Sequence, residues 1–264
     1  MPRGAAGNSV MPDYYNPYGH TVREMELSMD EMKTNATFIW GYMKSRFNWT
    51  LEATSGMLAN AQAESTINPA RPQNNAVNNK WYPSEPGYTG DAPNPTTTHY
   101  GFGLWQITPY LALTGKKYNP YTYGNWALDN GYTFSWATGG TGGKMEPQLE
   151  WLMSGNPEKS YVNTADPDHD QKKWYADGRS PIKGVTTPAK YGALTATPED
   201  CAKTFYWNFE RSGKLDVGDR PEKARYWYNY LSGVTPPTPP SPVPTAKILK
   251  GGKNVWHLLH LIQQ

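Results

Sequence analysis

The sequence is poor in cysteine, in long apolar runs and in net charge, and each shortage excludes a class of protein. The 264 residues include one cysteine, so no disulfide within the chain can hold the fold. No run approaches the ~18 apolar residues of a membrane-spanning helix, so we expect no role in a membrane. Lys plus Arg number 25 and Asp plus Glu 23, a balance that argues against a nucleic-acid-binding surface. The first residues also lack the apolar core of a secretory signal.

Aromatic residues, glycine and proline are abundant instead. The chain carries 11 Trp, 19 Tyr, 24 Pro and 25 Gly, and many of the aromatics stand beside Gly, Pro or Asn. This pattern is typical of a loop-rich fold whose flat rings either fill the core or stack on sugars.

Changes in composition divide the chain into four segments. Residues 1–32 predict an irregular arm, and residues 33–233 predict a folded domain. The prolines of 234–245 favour an extended, stiff linker. The remaining 246–264 form a short basic tail, too short to bury a core of its own.

Helix starts are the clearest local signals in the domain. Asn35 and Thr50 each precede a run with apolar residues at helical spacing, and Thr50 predicts a helix from Leu51 to about Ser65. Pro147 opens a short apolar stretch. Thr197 and Asp219 each stand just before a proline and an acid in the first turn, a strong helix start. Long loops separate these helices, which indicates an α+β or mostly α domain.

The first candidate for chemistry is Glu64, near the end of the helix that starts after Thr50. The surrounding sequence, Met57 to Pro69, is small and apolar, and a partly desolvated carboxylate there suits a general acid. Taken alone, the residue fits a surface glutamate near a helix end better. The second candidate is the segment Tyr100-Gly-Phe-Gly-Leu-Trp-Gln-Ile-Thr-Pro109. Its two glycines predict a strand or turn whose backbone lies close to another group.

Together these two motifs resemble a family. Ala61-x-x-Glu64-Ser-x-x-Asn-Pro69 followed by Gly101-x-Gly-Leu-x-Gln-Ile-Thr-Pro109 is similar to the lysozyme superfamily, above all to the phage tail lysozymes carried in virions, as in the tail knob of phi29-like phages. The segments around 205–211 and 219–228 resemble the last helices of that family. The resemblance covers about 33–233.

The resemblance implies a fold and roles for four residues. The fold would be α+β, a mostly α lysozyme-like domain with a small β-hairpin lobe. Glu64 would protonate the glycosidic oxygen, and Gly103, Leu104 and Gln106 would line the opposite floor of the cleft.

The partner of Glu64 stays open. The position that holds an Asp in animal lysozymes is Gly101 here, and the nearest upstream candidates are Asp91 and His99. A retaining route needs a carboxylate about 5 Å from the acid. An inverting route with water placed by Asp91, His99 or Thr108 fits as well, and transglycosylation needs Glu64 alone.

Sugar-binding residues are expected in the region 70–136. Trp81 and Tyr82 are the preferred platform because their loop is polar and followed by proline. The full predicted set for substrate binding is Gln73, Trp81, Tyr82, Tyr100, Gly103, Leu104, Gln106 and Thr108. Glu210 is expected to be a structural ion-pair partner near the cleft.

No metal or organic cofactor is expected. The acidic run 166–170 lacks the glycine of a calcium loop, and 138–144 lacks the Ser or Thr of a phosphate loop. Cys201 has no nearby histidine for peptidase chemistry, and His257 and His260 lack further zinc ligands.

The sequence therefore predicts a virion-borne glycoside hydrolase that cleaves β-1,4 bonds of peptidoglycan during host entry. Its other partners would be tail or core proteins of the virion, bound through the arm and the tail. One alternative is a structural virion protein that keeps the fold and binds sugar with little or no activity. A second is an endolysin, although no wall-binding repeat is visible.

Overall fold

The computed structural model describes the chain in separate stretches. These are residues 14–15, 25–71, 103–106, 113–114, 117–118, 123, 126–127, 130–132, 141–154, 174, 177–210 and 216–236. Seven predicted site residues lie outside them: Gln73, Trp81, Tyr82, Asp91, His99, Tyr100 and Thr108.

The described residues form six α-helices and one very short strand pair. The helices are α1 (Met29–Phe47), α2 (Leu51–Ser65), α3 (Met145–Met153), α4 (Pro188–Gly192), α5 (Pro198–Phe205) and α6 (Arg220–Ser232), and a π-helical turn, Tyr206–Glu210, follows α5 directly. Strands β1 (Leu113–Thr114) and β2 (Lys117–Tyr118) pair antiparallel over two residues each.

The predicted α+β class with a small β-hairpin lobe is therefore wrong for the part of the chain that the structure describes. Outside the two-residue pairing of β1 and β2, these residues contain no strand. Two residues a side form no sheet face that could pack as a lobe of its own. The described fold is helical.

Side-chain caps explain where several helices begin. The Thr50 hydroxyl accepts a hydrogen bond from the Ala53 N–H at the start of α2, and that of Thr197 accepts from Asp200 at the start of α5. Both caps were predicted. Each satisfies one of the N–H groups that the first helical turn leaves unpaired.

Helix α1 begins earlier than the sequence indicated. Ser28 caps it in a reciprocal pair with Glu31, so the helix starts at Met29 and Asn35 lies inside it. The Asn35 amide is buried and donates to the Ile67 carbonyl, while its oxygen accepts from the Tyr15 N–H. Asn35 thus joins the chain before α1 to the end of α2.

Helix α2 lies at the centre of the described core and packs against α1, α5 and α6. Its approach to α5 is so close that a Cβ on Gly56 would stand 2.7 Å from the backbone of Ala202. The Asn60 side chain, one turn on, donates to the Ala202 carbonyl across 3.1 Å. These contacts hold the helix that carries Glu64 in a fixed position against α5.

Aromatic rings fill much of the core beside α5 and the π-helical turn. Trp105 packs against Phe205 and Phe209, with ring centroids 5.8 and 5.6 Å apart, and Trp174 contacts the same two rings. Trp105 is buried, so this ring packs in the core. No helix in the described part of the chain is long and apolar enough to cross a membrane.

Candidate active site

Glu64 lies in the last turn of α2, and its side chain is 31% exposed. The helix ends one residue later, where Thr66 and Ile67 adopt left-handed backbone conformations that turn the chain away. The residues on either side of this turn are buried. Glu64 therefore presents a partly exposed carboxylate at the edge of a rigid, buried helix end.

Arg220, the first residue of α6, pairs with this carboxylate. Its Nη2 donates to Oε1 of Glu64 and lies 3.5 Å from Oε2 of Glu210, the last residue of the π-helical turn. One guanidinium nitrogen thus bridges two carboxylates from different elements. Glu210, predicted to be an ion-pair partner, thus lies beside Arg220.

Glu210 is the more buried of the two carboxylates. Its side chain is 7% exposed, against 31% for Glu64. Burial raises the pKa of Glu210 well above its ordinary value, and the negative charge of Glu64 raises it further, whereas Arg220 acts in the opposite direction. The site therefore contains two acidic groups in different environments.

The turn Gly103–Gln106 is fixed beside the end of α2. The Ser65 hydroxyl donates to the Leu104 carbonyl across 3.0 Å, and the Gly103 N–H donates to the Arg71 carbonyl across 2.8 Å. The side-chain amide of Gln106 donates to the carbonyls of Arg71 and Gly103. The segment is thus a turn, one of the two forms the sequence predicted, and it adjoins the residue next to Glu64.

Gln148 on α3 holds the same turn from the other side. Its side-chain oxygen accepts from the Leu104 N–H across 2.8 Å, and its nitrogen donates to the Pro69 carbonyl across 2.7 Å. A Cβ on Gly103, whose φ is +77°, would stand 2.2 Å from that oxygen. Only glycine combines this φ with this contact.

The structure thus brings four of the predicted site residues, Glu64, Gly103, Leu104 and Gln106, to neighbouring positions. Leu104 is fully buried, so its role here is to anchor the turn. Contact between substrate and any of the four stays a prediction, as do the roles of the residues outside the described stretches.

Sequence reasoning missed Arg220 and Gln148. The helix start at 219–222 was recognised, but only as a structural signal, and Gln148 follows Pro147 without any motif of its own. Each acts through a partner far away in sequence, which no local spacing could indicate.

Other chemistry receives little support from the described residues. Burial raises the pKa of the Cys201 thiol to about 12, so the thiolate needed for nucleophilic attack is scarce at neutral pH. Within the described stretches, no group of three or more His, Cys, Asp or Glu could hold a metal ion. The expectation that no cofactor is needed stays a prediction.

Comparison with known proteins decides the family. The phage tail lysozyme family matches residues 34–231, three quarters of the chain. The chain belongs to the phage tail lysozyme family. The match spans α1 to α6 and includes Glu64, Glu210 and Arg220.

One similar protein is a phage morphogenesis protein. The chain is 28% identical over 210 residues to "Morphogenesis protein 1" of Bacillus phage B103. The aligned region is 78% of this chain but 42% of the relative, so the chain spans less than half of that protein's length. Together with the tail lysozyme family, this relative supports a virion-associated, lysozyme-like phage protein.

Proposed function

We propose that this chain is a virion-borne lysozyme that hydrolyses β-1,4 glycosidic bonds of bacterial peptidoglycan, with Glu64 as the general acid. The observation that carries the proposal is the fixed, partly exposed Glu64 carboxylate at the end of α2, beside the anchored turn Gly103–Gln106. Glycosidases place such a group next to the scissile oxygen and protonate it as the bond breaks. Family membership supports the same chemistry.

The residues around Glu64 suit a proton donor that needs a fixed position. Helix α2 is held against α5 by Asn60 and Gly56, and the next residue, Ser65, binds the turn. A general acid works only within hydrogen-bond distance of the atom it protonates. The rigid helix end would supply that precision.

The first experiment compares wild type with Glu64→Gln on purified Gram-positive cell walls, by turbidity and by zymogram. The substitution removes the transferable proton and nearly preserves shape, and we expect a loss on the order of 10²–10⁴-fold. Glu52→Gln is the matched control, since Glu52 lies in the first turn of the same helix, far from Glu64. Equal clearing by wild type and Glu64→Gln would place the chemistry on another residue.

Product analysis separates the three routes left open by the sequence. Hydrolysis by either route leaves a free reducing sugar, whereas transglycosylation leaves an anhydro sugar without one. The anomer formed first then distinguishes a retaining route from an inverting one. Mass spectrometry of the released muropeptides detects an anhydro sugar, and NMR of the fresh product identifies the anomer formed first.

The name of the B103 relative favours a second candidate function, that of a structural component of the virion. In that case the fold would bind glycan strands and contribute to tail or core assembly with little or no cleavage. Binding of walls without clearing, by both wild type and Glu64→Gln, would support it. Under either function, the arm 1–32 and the tail 246–264 are proposed contacts to other virion proteins, and deletion of each, followed by immunoblotting of purified particles, tests that role.

A further inference from the structure

Two carboxylates and one guanidinium meet where three elements converge. Glu64 comes from the end of α2, Glu210 from the π-helical turn and Arg220 from the start of α6. In sequence, 156 residues separate Glu64 from Arg220. A pair formed at random on a surface rarely recruits a third charged group that is almost fully buried.

Arg220 is held rigidly in this cluster. Its guanidinium carbon lies 4.6 Å from the centroid of the Tyr206 ring, and its Nη1 donates to the Val217 carbonyl across 3.3 Å. Its side chain is 12% exposed. The cation is therefore fixed between the carboxylates instead of moving in solvent, and its charge acts on both.

Only one of the two carboxyl oxygens of Glu210 has a partner among the described residues. Its Oε2 faces Arg220, while its Oε1 is buried and has no hydrogen-bond partner in the described part of the chain. An ionised carboxylate so placed would be poorly compensated. Burial and the charge of Glu64 accordingly raise the pKa of Glu210, so the group holds its proton well into the range where an exposed glutamate has lost it.

Glu210 therefore holds Arg220 without competing with Glu64 for its charge. A protonated Glu210 still accepts a hydrogen bond from the guanidinium, whose positive charge is then left to Glu64.

We propose that Arg220 and Glu210 are positioning residues for Glu64: Arg220 aims the Glu64 carboxylate, and the buried carboxyl group of Glu210 holds Arg220 in place. The inference rests on the proposed function, because it takes Glu64 as the general acid. It adds Glu210 to the site as a second carboxylate, which acts on Glu64 instead of on the sugar.

The first test compares kcat and KM for wall clearing by Arg220→Met, Arg220→Lys, Glu210→Leu and Glu210→Gln. Arg220→Met removes the group that aims Glu64, so we expect kcat to fall about 10-fold or more while KM changes little. Arg220→Lys keeps the charge and should recover part of the loss. Glu210→Leu removes the contact that holds Arg220 and should also lower kcat, whereas Glu210→Gln keeps a neutral hydrogen-bonding group of the same shape and should stay close to wild type.

The matched control is another Arg–Glu pair that joins α5 to α6. Arg225 donates to Glu199 across 2.7 Å, and its side chain is 46% exposed. Arg225→Met and Glu199→Gln should leave kcat and KM unchanged. Wild-type kcat in Arg220→Met, or an equal loss in Arg225→Met, would overturn the inference.

A second readout does not require activity. In protein labelled with carboxyl ¹³C-glutamate, the NMR titration of Glu210 should move to lower pH in Glu64→Gln and to higher pH in Arg220→Met. If wild type clears no wall, the proposed function fails, while this titration still reports on the coupling. An unchanged Glu210 titration in Glu64→Gln would overturn the inference even in an active enzyme.

Discussion

The hydroxyl of Ser65 donates a hydrogen bond to the carbonyl of Leu104 across 3.0 Å. Ser65 follows Glu64 in the last turn of α2, and Leu104 lies in the anchored turn, 39 residues further on. This bond joins the helix end that carries the candidate acid to the segment expected to form the cleft floor. The relative position of the two therefore depends in part on this buried side chain.

Replacing Ser65 with alanine tests this connection. The buried Leu104 carbonyl would lose its donor, which typically costs about 1–3 kcal/mol. We expect that loss in the free energy of unfolding by urea, together with reduced wall clearing. Ser45→Ala is the control, because its hydroxyl donates only to carbonyls of its own helix, those of Gly41 and Tyr42. Equal effects of the two substitutions would contradict a special role for Ser65.

Gly103 and Gly131 provide a matched pair for the turn. Both have a positive φ, +77° and +80°, but a Cβ on Gly131 would meet nothing within 4 Å, whereas on Gly103 it would stand 2.2 Å from Gln148. Gly131→Ala should cost about 1–2 kcal/mol, from the backbone alone. Gly103→Ala should cost a further 1–3 kcal/mol, roughly, from overpacking. Thermal unfolding of both variants measures the difference, and equal losses would mean that Gln148 moves aside freely.

Gln148 and Ser65 act on the same residue, so their effects should not add. Gln148→Leu removes the acceptor for the Leu104 N–H and the donor for the Pro69 carbonyl. Once one substitution has loosened the turn, the second removes less stabilising free energy. We expect a double-mutant cycle in urea to give a coupling of about 0.5–3 kcal/mol. A coupling near zero would show that the two contacts act independently.

The sequence predicted the helices better than it predicted the fold class. Thr50, Thr197 and Asp219 marked the starts of α2, α5 and α6 because caps and first-turn prolines are local signals. The start of α1 was misplaced because Asn35 was taken as its cap, although the reciprocal Ser28 cap lay upstream. The β-hairpin lobe rested on the loop-rich composition and on the family resemblance, and no periodicity in the chain required it.

The residues of the candidate site also differ in whether the sequence could predict them. Glu64 and the turn containing Gln106 could be found because each lies in a compact motif. Arg220 could not, because its role depends on the packing of α6 against α2, which brings residues far apart in sequence together. The environment of Glu210 was also beyond prediction, since burial is a property of the assembled core.

The raised pKa of Glu210 predicts a pH dependence of stability whose sign is fixed. Burial, and then the charge of Glu64, make the folded protein hold this proton more tightly than the unfolded chain, where the group has its ordinary pKa of 4.5. Stability that is fully present below about pH 4.5 is therefore lost as the pH rises towards the raised value. Glu210→Gln removes this loss, so its free energy of unfolding should gain on that of wild type as the pH rises above about 4.5. Urea unfolding across that range measures the difference, with Glu199→Gln as the control for a partly exposed paired glutamate. A difference that stays constant with pH would mean that Glu210 is ionised in the folded protein throughout, and that Arg220 compensates it fully.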